Sequence, residues 1–401
     1  MRGWQVLAVE TAFEKATLAS EQPPASVQGL NRVPVGSPRV LMAAGGTGGH
    51  IFPALAVAEE LRTRWLERTP QGAEGPGGVI QFLGTGRGLE SRLIPAAGFS
   101  LRIVDAAGLV GIGGRRKLRN LAVLPRTLFQ TAKVLRDFKP EVVLGMGGYL
   151  AGPAMLEAAL LDLPTLLIEP NAVPGFTNRV LAPLVRVAAV GFEETAQFYG
   201  SKARMTGHPV RRAFYEVPAR ERRAPFTILI LGGSQGSTAI NQCVVGSLQL
   251  FFGQPVGFIH QTGERDYNTV RQAYEKAGVA AEIYPFIEDV PKAFARSDLI
   301  VSRSGASAVA ELAAAGKASI LVPFAAAAEH HQVENARVLE RAGATRVLLQ
   351  SELTPDRLAR EVGELLDSPQ RLTEMEHAVR RLARPEAAAR IADLIEDLAR
   401  G

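Results

Sequence analysis

Two stretches of this chain hold residue types that can do chemistry. In Gly45-Gly46-Thr47-Gly48-Gly49-His50, bare glycine amides lead into a histidine. Glycine lets a backbone approach a ligand closely, and histidine exchanges a proton near neutral pH. In Ser304-Gly305-Ala306-Ser307-Ala308-Val309-Ala310-Glu311, small residues lead into a carboxylate. A helix starting there offers unbonded amides and partial positive charge to a diphosphate. Glu311, in the first turns of such a helix, could accept hydrogen bonds from both hydroxyls of a ribose. An acid that merely complements the helix dipole is the plain alternative.

Loops of this kind need a strand before them and a helix behind. Residues 40–44 are an apolar run, and 51–68 repeat Ile51, Leu55, Ala58, Leu61 and Trp65 at helical spacing, with Pro53 suited to the first turn. The apolar run 79–83 then completes a β-α-β unit, which implies a parallel sheet. The same grammar returns at 226–231, followed by Gly232-Gly233-Ser234-Gln235-Gly236. A third glycine loop, Gly145-Met146-Gly147-Gly148-Tyr149, follows the strand 142–144, and the strand 164–168 ends in Glu169-Pro170-Asn171. Further strands are predicted at 187–190, 203–206, 256–260, 282–287, 298–301 and 319–322, with helices from 353 onward. Open α/β sheets bind ligands at the carboxyl ends of their strands, so these loops predict a cleft between two nucleotide-fold halves.

The domain reading is a loosely ordered extension over 1–38, a first Rossmann-like domain over 39–212 and a linker over 213–225. A second such domain covers 226–370, and helices over 371–401 are placed to cross back to the first. A length of 401 residues suits two cores, and 47% hydrophobic with 21% charged residues is ordinary for a globular protein. The single cysteine, Cys243, excludes an internal disulfide framework and reads as a small buried hydrophobe. A net charge of +5 suits an anionic surface or a phosphorylated ligand. No zinc spacing or RNA-reading motif accompanies it, so no nucleic acid is expected as a partner. No run of about 18 apolar residues occurs to span a bilayer. Residues 109–135 interleave Arg115, Arg116, Lys117, Arg119 and Arg126 with Leu118, Leu121, Val123, Leu124, Leu128 and Phe129. That mixture fits either an anionic bilayer surface or a packing helix with a basic solvated face.

Other nucleotide enzymes fit less well. A dehydrogenase keeps an acid at the end of the second strand, where this chain has Gly84-Thr85-Gly86, and its first loop reads G-x-G-x-x-G. A P-loop needs a glycine upstream of Gly316-Lys317 that is missing.

Taken together, GGTGGHIFPALAVAEEL, VLGMGGYLAGP, EPNAVPGFTNRVLAP, GHPVRRAF, LGGSQGSTAIN, PFIEDV, SRSGASAVAELAAAGKASILVPF and EHHQVENA resemble the MurG-type UDP-N-acetylglucosamine transferases, in that family's order from residue 40 to about 340. The resemblance implies a GT-B fold, two Rossmann-like parallel-sheet domains facing across a cleft. It implies an inverting transfer of GlcNAc from UDP-GlcNAc to the MurNAc 4-hydroxyl of undecaprenyl-diphospho-MurNAc-pentapeptide, the lipid I to lipid II step of peptidoglycan synthesis, on which cell shape and division depend. It implies a peripheral enzyme on the cytoplasmic face of the cell membrane, with the anionic membrane surface and other cell-wall synthesis proteins as partners. No cofactor or divalent cation is expected to be obligatory.

By resemblance, Thr47, Gly48 and Gly49 contact substrate, Asn171 binds the donor sugar, and Arg211 and Ser234 serve the UDP side. Ile287 reads uracil through its backbone, residues Ala306, Ser307, Ala308, Val309 and Ala310 take the diphosphate, Glu311 holds the ribose and Gln332 the GlcNAc hydroxyls. Gly147, Gly148, Tyr149 and Glu169 fall on the acceptor side. His50 is the candidate base for the acceptor hydroxyl, with helix capping or substrate orientation as its alternative role. The chain departs from the family pattern at Pro170, at His208 and in its N-terminal extension. Pro170 removes an amide donor and restricts Glu169. A glycolipid glucosyltransferase, a UDP-GlcNAc epimerase and a non-catalytic nucleotide-sugar sensor are the rival readings.

Overall fold

The structure is a computed structural model that describes residues 37–46, 48–68, 79–86, 88–106, 114–324 and 331–401. Thr47, His330, the extension up to residue 36 and the side chains of residues 114–122, with Arg115, Arg116, Lys117 and Arg119 among them, lie outside the described residues.

Two parallel sheets organise the chain. The first comprises β1 (Val40–Ala43), β2 (Ile80–Gly84), β3 (Ser100–Ile103), β4 (Val142–Gly145), β5 (Thr165–Glu169), β6 (Val187–Val190) and β7 (Ala203–Met205), in the order β3-β2-β1-β4-β5-β6-β7. The second comprises β8 (Phe226–Leu231), β9 (Val256–Gln261), β10 (Ala281–Tyr284), β11 (Leu299–Ser302), β12 (Ser319–Leu321) and β13 (Thr345–Val347), in the order β10-β9-β8-β11-β12-β13. β1 and β4 are buried at every position, as strands covered by helices on both faces must be. In each sheet the order reverses beside the first strand, between β1 and β4 and between β8 and β11. The crevice at such a reversal is where ligands bind in this architecture. The fold is GT-B, as the resemblance implies.

The predicted strand 282–287 ends early, at Tyr284, because Pro285 cannot donate to a ladder. β3 and β13 were not anticipated. Both are short edge strands, of four and three residues, too brief for a period to stand out in the sequence.

The segment joining the sheets is anchored to the second half. Phe214 is fully buried and meets Phe294 edge-on at 5.2 Å, Val217 is buried beside it, and Arg220 pairs with Asp298 at 2.9 Å. The last helix, Ala387–Arg400, returns to the first half and packs on the Gly48–Glu67 helix. Its Ile391, Ala392 and Ile395 enter the first core with no exposed surface. Around that apolar stripe Trp65 Nε1 donates to Glu396 at 3.0 Å and Arg68 Nη1 to the same oxygen at 2.8 Å. Burying a large aliphatic side chain is worth about 1.5–3 kcal/mol, so this helix is a structural part of the first domain.

Candidate active site

The two glycine loops and the Ser304–Glu311 stretch sit at the two reversals. The first loop leaves β1 and runs into the Gly48–Glu67 helix, which places His50 in its first turn. The loop after β4 lies alongside. Gly147 and Gly148 take φ of 80° and 74°, which other residues resist, and a Cβ at Gly148 would lie 3.3 Å from His50 Cε1. Glycine here lets the loop lie against the imidazole, and the Tyr149 ring rests on Gly46. Across the cleft β11 feeds the Ala306–Ala315 helix, whose N-cap Gly305 provides no side-chain cap. Its first amides are therefore free of side-chain acceptors, the state in which a helix start holds an anion.

The two halves meet at these elements. His208 Nε2 lies 2.9 Å from Ser307 Oγ, and that hydroxyl donates to the Gly49 carbonyl at 3.4 Å. Asn335 makes a second bridge. Its Nδ2 donates to Asn171 Oδ1 at 3.1 Å and to the Ser304 carbonyl at 3.2 Å, while its Oδ1 accepts from Ala172 N–H at 2.8 Å. One face of the His331–Arg341 helix carries both Asn335 and Gln332, three residues apart. Neither Asn335 nor Glu90, discussed below, was singled out from sequence; the helical spacing from Gln332 was the available signal for the first.

Burial sets the electrostatics. It pushes the His50 imidazole below its usual 6.5, with the Gly45 carbonyl at 3.3 Å from Nδ1 acting against that and His331 adding to it. His208 falls further, to about 3, through burial and the nearby His50. Glu311 rises to about 7 through burial, opposed by Arg211. Arg211 itself lies over Phe52 at 4.6 Å and Phe214 at 5.1 Å, so one guanidinium spans residues of both halves. Arg303, lowered to about 10 by burial, donates to the Val322 carbonyl at 3.0 Å and to Ser237 Oγ at 2.7 Å, fixing the second glycine loop against the edge of β12.

Other expected residues fall as follows. Ser234 is exposed in the turn after β8, and a Cβ at the neighbouring Gly236 would stand 2.0 Å from the Thr262 carbonyl, so that turn admits glycine alone. Gln332 accepts from the Phe324 N–H at 3.0 Å. Ile287, expected to read uracil through its backbone, donates its N–H to Gln261 at 3.0 Å. Glu169, expected on the acceptor side, turns its carboxylate into its own loop. It is 1% exposed and accepts from Asn171 N–H and Nδ2 at 3.0 Å each, Gly175 N–H at 3.0 Å and Asn178 Nδ2 at 2.8 Å. Burial raises its carboxyl above the ordinary range and these bonds pull it back. Pro170 has no amide to add to this set, and Glu169 shapes the turn that presents Asn171.

The chain matches the Glycosyltransferase family 28 N-terminal domain over residues 40–190 and the C-terminal domain of the same family over 227–395. It is 44% identical over 371 residues to the UDP-N-acetylglucosamine--N-acetylmuramyl-(pentapeptide) pyrophosphoryl-undecaprenol N-acetylglucosamine transferase of Solibacter usitatus (strain Ellin6076), covering 92% of this chain and 98% of the relative. The protein of that name from Myxococcus xanthus (strain DK1622) is 42% identical over 365 residues, covering 90% and 93%. Among solved structures, Acinetobacter baumannii MurG superposes with a TM-score of 0.69 at 33% identity, over 90% of this chain and all of that one. A UDP-GlcNAc 2-epimerase from Neisseria meningitidis shares the fold alone, at a TM-score of 0.61 and 16% identity over 88% of this chain and 98% of that one. With both halves of its cleft matched along nearly the whole of such relatives, the chain belongs to family 28 of the glycosyltransferases and, within it, to the MurG family.

Proposed function

We infer that this chain transfers GlcNAc from UDP-GlcNAc to the MurNAc 4-hydroxyl of undecaprenyl-diphospho-MurNAc-pentapeptide, in peptidoglycan synthesis. The observation that carries the mechanism is the meeting of a proton acceptor with an anion site. His50 opens one helix, the Ala306–Ala315 helix opens opposite it, and Ser307 joins them through the Gly49 carbonyl at 3.4 Å.

In this reading the donor diphosphate lies on the amides of residues 306–310 with Arg211 beside it, and Glu311 accepts from the ribose hydroxyls. Asn171 and Gln332 address the sugar, with the Ile287 carbonyl and Ser234 toward the nucleoside. The acceptor enters along Gly147, Gly148 and Tyr149. His50 takes the proton of the attacking hydroxyl, the oxygen bonds to the anomeric carbon from the face opposite UDP, and the configuration inverts. Charge developing on UDP is met by amides fixed before the reaction, so little reorganisation is needed. Turnover in the presence of EDTA is the expected outcome, since this scheme assigns the leaving group to protein groups.

The acceptor's lipid calls for a membrane surface. No helix among the described residues is long and apolar enough to cross a membrane. Three adjacent helices of the first half expose apolar side chains: Phe129 at 73%, Leu160 at 76%, Phe176 at 54% and Val180 at 57%. Exposed Lys133, Arg136 and Arg179 accompany them. Apolar groups with a cationic fringe suit the cytoplasmic face of an anionic bilayer.

The test is UDP release with and without a short-chain lipid-diphospho-MurNAc-pentapeptide. An epimerase would turn over without acceptor, and a sensor would bind without turnover.

A further inference from the structure

The acid missing from the end of β2 stands six residues on, at the start of the Glu90–Ala96 helix. Glu90 has no exposed surface. Its Oε1 accepts from Thr85 N–H at 3.0 Å and the Thr85 hydroxyl at 2.6 Å, and its Oε2 accepts from Gly46 N–H at 3.1 Å. Glycines sheathe it: a Cβ at Gly88 would stand 1.9 Å from Oε2, and one at Gly45 would stand 3.2 Å from Oε1. The carboxylate can therefore lie flat against the first glycine loop.

Gly46 N–H belongs to the peptide unit whose other end is the Gly45 carbonyl, and that oxygen lies 3.3 Å from His50 Nδ1. A carbonyl only accepts, so the contact puts a proton on Nδ1, and the neutral ring then carries its lone pair on Nε2. We propose that Glu90 is a positioning residue for His50 acting through this single peptide: it polarises Gly45–Gly46, strengthens the Gly45 carbonyl as acceptor of Nδ1–H, and so keeps the lone pair on Nε2, the nitrogen that takes a proton. Hydrogen bonds in series polarise one another, and an imidazole oriented by an anion behind its far nitrogen is a recurring device of acid–base catalysis. Here a peptide is inserted between anion and ring.

The other groups around the imidazole do not duplicate Glu90. His331 faces it from the His331–Arg341 helix and disfavours its cation, and His208, in the loop after β7, is itself lowered by burial and by His50. Tyr149 covers Gly46, and Arg211 sits over Phe52 two residues along. Glu90 is the one carboxylate whose hydrogen bonds lead to this ring among the described residues.

The inference rests on reading His50 as the base, and the test separates the two. The full chain is labelled with 15N-histidine, and the His50 resonances are assigned by their loss in His50→Ala. In the wild type, neutral His50 is expected as the Nδ1–H tautomer. In Glu90→Gln its titration midpoint is expected to fall, the acid limb of kcat to move with it, and kcat to drop at least about tenfold, as for partners behind a functional imidazole. KM for UDP-GlcNAc, whose site lies on the other half, is expected to stay. A midpoint that does not move in a Glu90→Gln protein still binding UDP overturns the proposal. So does the Nε2–H tautomer in the wild type, a result that needs no variant to fold. If the midpoint moves while His50→Ala turns over normally, the base reading fails and the Glu90 connection stands.

Discussion

At the residue scale, the cleft holds two ionisable groups whose proton affinities are displaced toward each other by burial. His50 sits below 6.5 and Glu311 near 7. A base lowered in this way is unprotonated at neutral pH, so the acid limb of kcat is expected below pH 6.5. Removing the imidazole in His50→Ala is expected to lower kcat by about 10²–10⁴-fold while leaving UDP binding intact; wild-type turnover in that variant would remove the base from the mechanism. For Glu311 the sign runs the other way. Its carboxyl is partly protonated in the empty cleft at neutral pH, and ribose hydroxyls are better held by the anion. UDP affinity is therefore expected to rise with pH through about 7 and to release protons, which calorimetry in two buffers of different ionisation enthalpy would detect. Glu311→Gln should weaken UDP and flatten that dependence.

At the scale of elements, much of the architecture was legible. Runs such as Val40-Leu41-Met42-Ala43 and Phe226-Thr227-Ile228-Leu229-Ile230-Leu231 are apolar enough to be central parallel strands, and the glycines after them mark where backbone meets ligand. The edge strands β3 and β13 were illegible because four and three residues are too few to establish a period. The hydrogen bonds that shape the loops were illegible for another reason: Glu90 reaches Gly46 across 44 residues and Asn335 reaches Ala172 across 163, distances over which spacing says nothing. Glu169 falls on the acceptor side by resemblance, and the four donors that hold its carboxylate carry no signal in the sequence. The crossing helix gives its own prediction. Ile395→Ala is expected to cost about 2–5 kcal/mol of stability, read from the Trp65 fluorescence transition in urea, since that indole donates to Glu396 on the same helix. His208 and His260 add a pH dependence. Both are held neutral, near 3, against 6.5 in an open chain, so unfolding takes up protons below pH 6.5. Stability is expected to fall as pH drops from 6.5 toward 3, and a denaturation midpoint constant over that range would contradict it.

At the scale of the whole molecule, the two halves touch through small polar bridges: Asn335 to Asn171, Ser307 to Gly49, and Arg341 to Glu194 at 2.8 Å. Such contacts are easily exchanged for contacts to a ligand, which suits a cleft that must admit a nucleotide sugar and close on it. The first half carries the exposed apolar helices, so the acceptor side would face the bilayer. Sedimentation with vesicles containing anionic lipid is expected to recover the protein, less so at high salt, and Phe129→Asp with Leu160→Asp to reduce recovery without changing UDP affinity. The most direct test of the central claim is UDP release by the purified chain supplied with UDP-GlcNAc, with and without lipid-diphospho-MurNAc-pentapeptide. Release that requires the acceptor and yields the lipid-linked disaccharide is the predicted result; release that ignores the acceptor, or none with both substrates present, would contradict the account.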